Sequence, residues 1–397
     1  MAGGWRYGTA LRAGQPGIGL KEGTMSDFII VGAGIVGLSA AHEAARRGHR
    51  VTVLERGKVP NPDGASFDQH RMIRYHYGAA EGYTRMVAEA FPAWERLWAE
   101  LRERHFADCG AVAISLQADD YADKTAAVFR KLGVPHDIVE GGALGRLLPQ
   151  LDLPESARGV LARPGGPLFA DRIVTALHRL CESQGVRILP QTPVMAIDED
   201  GSVRTEAGET LRADRVIVAA GAWLPGLMPT RFGALPTHRQ ALCYIAPPEA
   251  HEAAWATGPA VVVIGDRGVY SLPPLAGTGL KFGDGGHRRR ADPSAGFDWS
   301  IDEGREIIDA FSPYLRDADA YTPLRMKVGY YVMDGSRRFR IETAGKCVFV
   351  TNCDGQMFKF GPLIGERVVA CCDGALSAHD LSHWAAGNPL SSNQPEP

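Results

Sequence analysis

The chain has 397 residues, more than one hydrophobic core usually serves, so two domains are the starting expectation. Apolar residues make up 45% and charged residues 22%, an ordinary globular balance, and a net charge of -3 supplies no overall field to draw in nucleic acid or an anionic membrane. No apolar run approaches the roughly 20 residues of a membrane span, and seven scattered cysteines without metal-ligand spacing favour reduced thiols in a cytoplasmic protein.

Residues Met1 to Thr24 are glycine-rich and lack the continuous apolar stretch of a secretory signal, so they are expected to form a disordered leader, with Met25 as an alternative start. The next stretch, FIIVGAGIVGLSAAHEAARRGHRVTVLE from Phe28 to Glu55, has the layout of a dinucleotide clamp. Phe28 to Val31 suits a buried parallel strand, and Gly32, Gly34 and Gly37 complete GxGxxG before a helical pattern begins. In such a motif the first glycine permits a tight turn, the second lets backbone approach a pyrophosphate, and the third lets helix and strand pack closely. The helix N-terminus offers unpaired N–H groups to the phosphates. A second strand, Val51 to Leu54, ends in Glu55, placed to accept hydrogen bonds from the adenosine ribose. At this point NAD and FAD are both allowed.

Arg56 to Gln69, rich in Gly, Pro, Asn and Asp, is expected as a loop. In HRMIRYHYG, Arg71 and Arg74 lie three apart; on a helical turn they share a face and can address one anion, although a solvated basic turn fits the same residues. Glu81 to His105 carries a helical apolar stripe (Met86, Val87, Ala90, Phe91, Trp94, Leu97, Trp98, Leu101) that reads as core. A strand follows at Ala111 to Leu116, then helices at Tyr121 to Leu132, stopped by Gly133, and at Gly142 to Leu148, closed by Pro149. Beyond Gly165 come a helix over Asp171 to Gln184, strands at Val186 to Leu189 and Val194 to Asp198, a hairpin at Asp200 and Gly201, and a buried strand, Ala213 to Ala219, entering the turn Gly221 to Trp223.

From Arg239 to Lys281, apolar runs at Ala241 to Ile245, Ala260 to Ile264 and Val269 to Leu272 alternate with Gly and Pro turns, the spacing of an antiparallel sheet. Arg288 to Arg290 reads as a solvated loop without a role. Ile301 to Phe311 is expected as a helix, and Lys327 to Val332 and Phe339 to Ile341 as strands paired around a turn at Asp334 and Gly335. Cys347 to Thr351 is a strand; NCDGQMFKFGPLIGERVVACC then places a glycine loop before a helix starting near Pro362. The tail from Asn388 is expected to be disordered.

Taken together, VGAGIVG, the R-x-x-R of Arg71 and Arg74 followed by Tyr77 and Gly78, the GG-x-x-F-x-x-R of Gly165 to Arg172, VIVAAGAW, HRQ at His238 to Gln240, GLKFG and GQMFKF resemble the D-amino-acid oxidase superfamily of FAD enzymes. The likeness runs from Asp27 to about Asp380 and is greatest to the monomeric sarcosine oxidase branch, with its N-methyltryptophan, pipecolate-type and cyclic-imine oxidases. It implies an α/β FAD-binding Rossmann-type (glutathione-reductase-like) domain with an inserted α+β substrate domain built on an antiparallel sheet. The implied division is 25–104, 164–228 and 329–381 for FAD, and 105–163 and 229–328 for substrate.

The resemblance also implies roles. Arg74 and Lys359 fall where the branch holds a substrate carboxylate, one as a two-donor fork and the other as a point charge. Lys281 falls on the lysine that promotes reaction of reduced flavin with O2, by stabilising developing negative charge. Tyr270, Tyr331 and Gln356 fall on pocket positions. To the cofactor it assigns Gly32, Gly34, Ile35, Val36, Gly37, Glu55, Arg56, Arg71, Val194, Gly221, Trp223, Gly329, Gly355, Phe358 and Lys359. Three departures qualify this. The cysteine that tethers flavin in sarcosine oxidases is replaced by Gly329, so FAD is expected to be non-covalent. A histidine of the last glycine loop is replaced by Gln356. A histidine after GLK is replaced by Gly285 and Gly286, with His287 out of register. A bulkier amine than sarcosine is therefore expected. The implied reaction is oxidation of a secondary (N-methyl or cyclic) amino acid to an imine, with O2 reduced to H2O2. The implied partners are small molecules only, on a monomer or weak homodimer. A flavin-dependent monooxygenase or tailoring oxidoreductase acting on a larger amine-containing metabolite, an NAD-dependent dehydrogenase and a non-catalytic flavin-binding protein stand as alternatives.

Overall fold

A computed structural model describes residues 25–265 and 267–390, so the leader and most of the tail lie outside the described residues. The apolar Phe28 run becomes the strand Asp27–Val31, near the middle of a six-stranded sheet. Arg50–Leu54 and Arg215–Val218 run parallel on either side of it, followed by Arg187–Leu189 and Cys347–Asn352, also parallel; Arg340–Ala344 closes one edge antiparallel. Strands buried on both faces need helical cover. The helix Ile35–Arg46 packs against the helices Ala170–Ser183 and Gly361–Cys372. Its close seat requires Gly37, because a Cβ there would lie 1.8 Å from the Gly32 carbonyl oxygen. Gly32 itself turns at φ +104°, with Ala219 O 2.5 Å from any Cβ, so both conformation and space demand glycine.

A second, nine-stranded sheet is antiparallel except where Ala260–Ile264 runs parallel to Ala111–Ser115. Its organiser is the strand Thr237–Ala246. On one side it pairs with the whole of Thr322–Val332; on the other it pairs with Arg288–Arg290 and, further along, with Leu280–Gly283. The interleaved returns of the chain place the end of the six-stranded sheet against this second sheet, and the cavity described below opens between them.

Helices Tyr121–Leu132 and Ile301–Phe311 and strands Ala260–Ile264 and Val269–Leu272 have the expected bounds. The Glu81–Leu101 helix buries its aromatic stripe in the core as expected. All seven cysteines are free thiols. Three expectations are corrected. Arg71 sits in a strand, Arg71–Ile73, because the segment pairs with Gly166–Leu168 instead of coiling. Arg288–Arg290 is an edge strand because it pairs with His238 to Gln240. Lys327 to Val332 and Phe339 to Ile341 do not pair with each other; the ten-residue Thr237–Ala246 strand takes the first and Cys347–Asn352 takes the second, so the intervening turn joins two sheets. Strands His136–Glu140 and Arg158–Ala162 and helices Glu249–Thr257 and Ala378–Ala385 were not legible in the residue pattern.

Among the described residues no helix is long and apolar enough to cross a membrane, and no group of His, Cys, Asp and Glu is arranged to hold a metal.

Candidate active site

A cavity of about 1100 Å³ runs from the glycine turn of the six-stranded sheet to the face of the nine-stranded one. That exceeds what one small ligand occupies. Every residue that the resemblance assigns to the cofactor or to the substrate pocket lines it except Gly37, which is spent on helix packing.

At the nucleotide end, Glu55 is buried and organises the turn. Its Oε2 accepts from Ala33 N–H at 2.8 Å, and its Oε1 accepts from Gly57 N–H and Asn61 Nδ2, each at 3.0 Å. Oε2, with a single donor, retains acceptor capacity. The Ile35–Arg46 helix has no acidic residue in its first turn and no side chain at its N-cap, Gly34. Its positive end is offset only by Ser66 Oγ, which accepts from Ile35 N–H at 3.0 Å. Arg56 lies 5.1 Å over the Trp223 ring. These features fit the adenosine and pyrophosphate of FAD. At the other end, a Cβ on Gly329 would meet nothing within 4 Å, so that strand position opens onto the cavity. The residues present therefore fit the cofactor along the cavity's length.

The centre holds a buried ion network. Lys281 is 1% exposed; its Nζ donates to Asp68 Oδ2 at 2.9 Å and to the His70 carbonyl. Arg71 Nη1 donates to Asp68 Oδ2 at 2.6 Å, and the Tyr244 hydroxyl donates to Asp68 Oδ1. Burial pulls the Lys281 ammonium down to about 8, with the Asp68 charge opposing it. Burial alone would raise Asp68, but Lys281, Arg71 and Tyr244 together hold its carboxyl well below the usual range. Near neutral pH both remain charged. His70 is driven to about 3 by burial and by Lys281, so it is neutral; with Nε2 donating to Gly279 O at 3.1 Å, its Nδ1 is the unprotonated nitrogen. Asp68 was missed by sequence reading: it lies in a loop, and its partner is 213 residues away.

Two further cations meet on the ring of Tyr77. Arg74 Cζ stands 4.6 Å from its centroid and Lys359 Nζ 5.6 Å. Arg74 donates to the Tyr121 hydroxyl at 3.4 Å, and Lys359 donates to Gln356 O at 3.2 Å. Among the described residues neither has a carboxylate partner. Burial and the charge of Arg74 push Lys359 well below the ordinary lysine value. An anion held between the two would offset that shift and favour the charged form of Lys359. Gln356 donates through Nε2 to Asp354 at 2.8 Å and leaves Oε1 buried without a donor. Asp354 is also bound by Arg337 Nε at 2.6 Å. Tyr270 and Tyr331 line the same space as neutral phenols: burial pushes Tyr331 up to about 12 and Tyr270 well above its ordinary value. His287 is turned away, toward Asp284 at 2.8 Å and Glu306 at 3.2 Å. Arg71 and Arg74 both reach the cavity, but Arg71 is committed to Asp68, so they do not address one anion together.

A family profile described as FAD dependent oxidoreductase (DAO) matches residues 27–371. Monomeric sarcosine oxidase from Arthrobacter sp. (strain TE1826) is 24% identical over 379 residues, covering 91% of this chain and 96% of that protein. N-methyl-L-tryptophan oxidase from Yersinia pestis (strain Pestoides F) is 25% identical over 368 residues, covering 90% of this chain and 98% of that one. Among solved structures, NikD, described as an unusual amino acid oxidase essential for nikkomycin biosynthesis, matches with a TM-score of 0.75 at 25% identity, over 94% of this chain and 99% of that one. L-proline dehydrogenase from P. horikoshii matches at TM-score 0.76 and 20% identity, over 92% and 99%, which is a likeness of fold.

Proposed function

The chain belongs to the FAD dependent oxidoreductase (DAO) family, and on that premise we propose that it oxidises the C–N bond of a secondary amino acid, N-methyl or cyclic, to the imine, with O2 as acceptor and H2O2 as product. One observation carries the substrate class: Arg74 and Lys359 converge on Tyr77, and among the described residues no carboxylate pairs with either. The relatives' names, a sarcosine oxidase and an N-methyl-L-tryptophan oxidase, support the secondary amine.

Bound FAD supplies the two-electron acceptor and hands the electrons on to O2. The protein's own residues do the rest. Arg74 and Lys359 fix the substrate carboxylate, and Tyr270, Tyr331 and Gln356 shape the space around the amine. The surrounding cations disfavour an ammonium, so the amine binds uncharged and no dedicated base is required. Lys281, held by Asp68, presents a fixed positive charge where negative charge develops on oxygen. Segments 25–104, 164–228 and 329–381 carry the cofactor, and segments 105–163 and 229–328 carry the substrate wall.

Aerobic turnover is expected to release one H2O2 per amine consumed without NAD(P)H; stoichiometric consumption of NADPH would instead identify a monooxygenase. Gly329 has no side-chain nucleophile, so FAD is held non-covalently. Acid precipitation of the yellow protein is expected to leave the flavin in the supernatant, and a yellow pellet would contradict the assignment.

A further inference from the structure

The three cations of the Arg288–Arg290 strand look alike in sequence, but only the first lines the cavity. The sheet explains the difference. Gln240 is the register partner of Arg288 on one side and of Gly329 on the other, and all three residues line the cavity. Arg288 therefore belongs to a row that crosses three strands and ends at Gly329. With strands about 4.8 Å apart, its Cα lies roughly 10 Å from that of Gly329. Tyr331, two residues along the same strand and so on the same face, stands between Arg288 and the loop that carries Lys359.

Among the described residues, the acids of the neighbouring segments are already engaged. Asp354 takes Arg337 and Gln356, Asp284 takes His287 and Arg267, and Glu303 takes Arg239. The other cations of the cavity have fates of their own: Arg71 and Lys281 share Asp68, Lys327 donates to Pro62 O, and Arg56 covers Trp223. Among the described residues Arg288 forms no ion pair. A half-buried guanidinium with no carboxylate paired to it keeps donors available for an anion brought by a ligand. Arg288 lines the cavity and reaches the buried Tyr331 hydroxyl by a hydrogen bond, which puts the guanidinium on the cavity side, and Asp354, already bound to Arg337 and Gln356, also feels its charge.

We propose that Arg288 binds a second anionic group of the substrate, so that the enzyme acts on acidic secondary amino acids that carry a further carboxylate beyond the one held by Arg74 and Lys359. This rests on the reading of Arg74 and Lys359 given above. A fork aimed at a distal carboxylate rejects a neutral analogue because the guanidinium is then left unpaired. Lys359 and Arg288, on either side of Tyr331, set the two ends of such a molecule.

Non-oxidisable acids test this on the holoenzyme through the change they cause in flavin absorbance. Glutarate is expected to bind at least tenfold more tightly than butyrate. Arg288→Gln brings the ratio of the two dissociation constants toward one, and Arg288→Lys restores part of it. Arg74→Gln weakens both acids and keeps the preference. Butyrate binding with a ratio near one in the wild type, or a ratio unmoved by Arg288→Gln, overturns the second contact while leaving the first carboxylate site standing. If neither acid binds, both readings fall.

Discussion

Replacing Lys281 by methionine is expected to slow the reaction of the reduced enzyme with O2 by about a hundredfold to a thousandfold, the usual loss when one preorganised charge is removed from a developing anion. Anaerobic reduction by the amine should change far less, because Lys281 contacts Asp68 and the His70 carbonyl, while the substrate carboxylate is assigned to Arg74 and Lys359. The same lysine gives a pH dependence. Its pKa is lowered from 10.5 to about 8, so the cation is present below that value and is lost as pH rises through it. The oxygen half-reaction should therefore fall above about pH 8 in the wild type and be flat over that range in Lys281→Met. Stopped-flow reoxidation resolves both, and an unchanged oxygen rate in the variant would remove Lys281 from the mechanism. The substitution also strips Asp68 of one of its two cationic partners. Breaking a buried pair costs about 3–5 kcal/mol, so a stability loss should accompany the kinetic one, moderated here by Arg71 and Tyr244.

Arg74→Gln is the second large effect. Truncating one side of a desolvated charge contact costs about 2–5 kcal/mol, which is roughly thirtyfold to several thousandfold in affinity. The dependence of anaerobic flavin reduction on amine concentration should show this as a raised dissociation constant, with a smaller change in the limiting rate. Arg74→Lys should recover only part of the loss, since a point charge cannot reproduce the two-donor fork. Lys359→Met should weaken binding as well. It also relieves the repulsion that Arg74 imposes on Lys359, so the double variant should fall short of the sum of the singles. Unaltered affinity in both single variants would place the substrate elsewhere in the cavity.

What the sequence made legible divides along physical lines. The clamp could be read because most of its chemistry is local: Gly32 turns at positive φ, Gly37 is required by the Gly32 carbonyl, and Glu55 bonds to Ala33 in the turn itself. Lys281 and Lys359 could be proposed from their flanking motifs, and both prove to be buried lysines on one cavity. Asp68 could not, since a loop aspartate acquires its meaning only from a lysine on the other sheet. The R-x-x-R pair was given the wrong local geometry because three-residue spacing says nothing about the pairing partner, here Gly166–Leu168. Arg288 was discounted for a similar reason. A run of three arginines looks solvated until strand pairing with His238, Arg239 and Gln240 shows that one of them faces inward.

The most direct measurement mixes the oxidised holoenzyme anaerobically with N-methyl and cyclic amino acids, acidic ones included, and with NADPH. Bleaching of the flavin by a secondary amino acid, with none by NADPH, is the predicted result. Bleaching by NADPH while the whole amine panel leaves the flavin oxidised would contradict it.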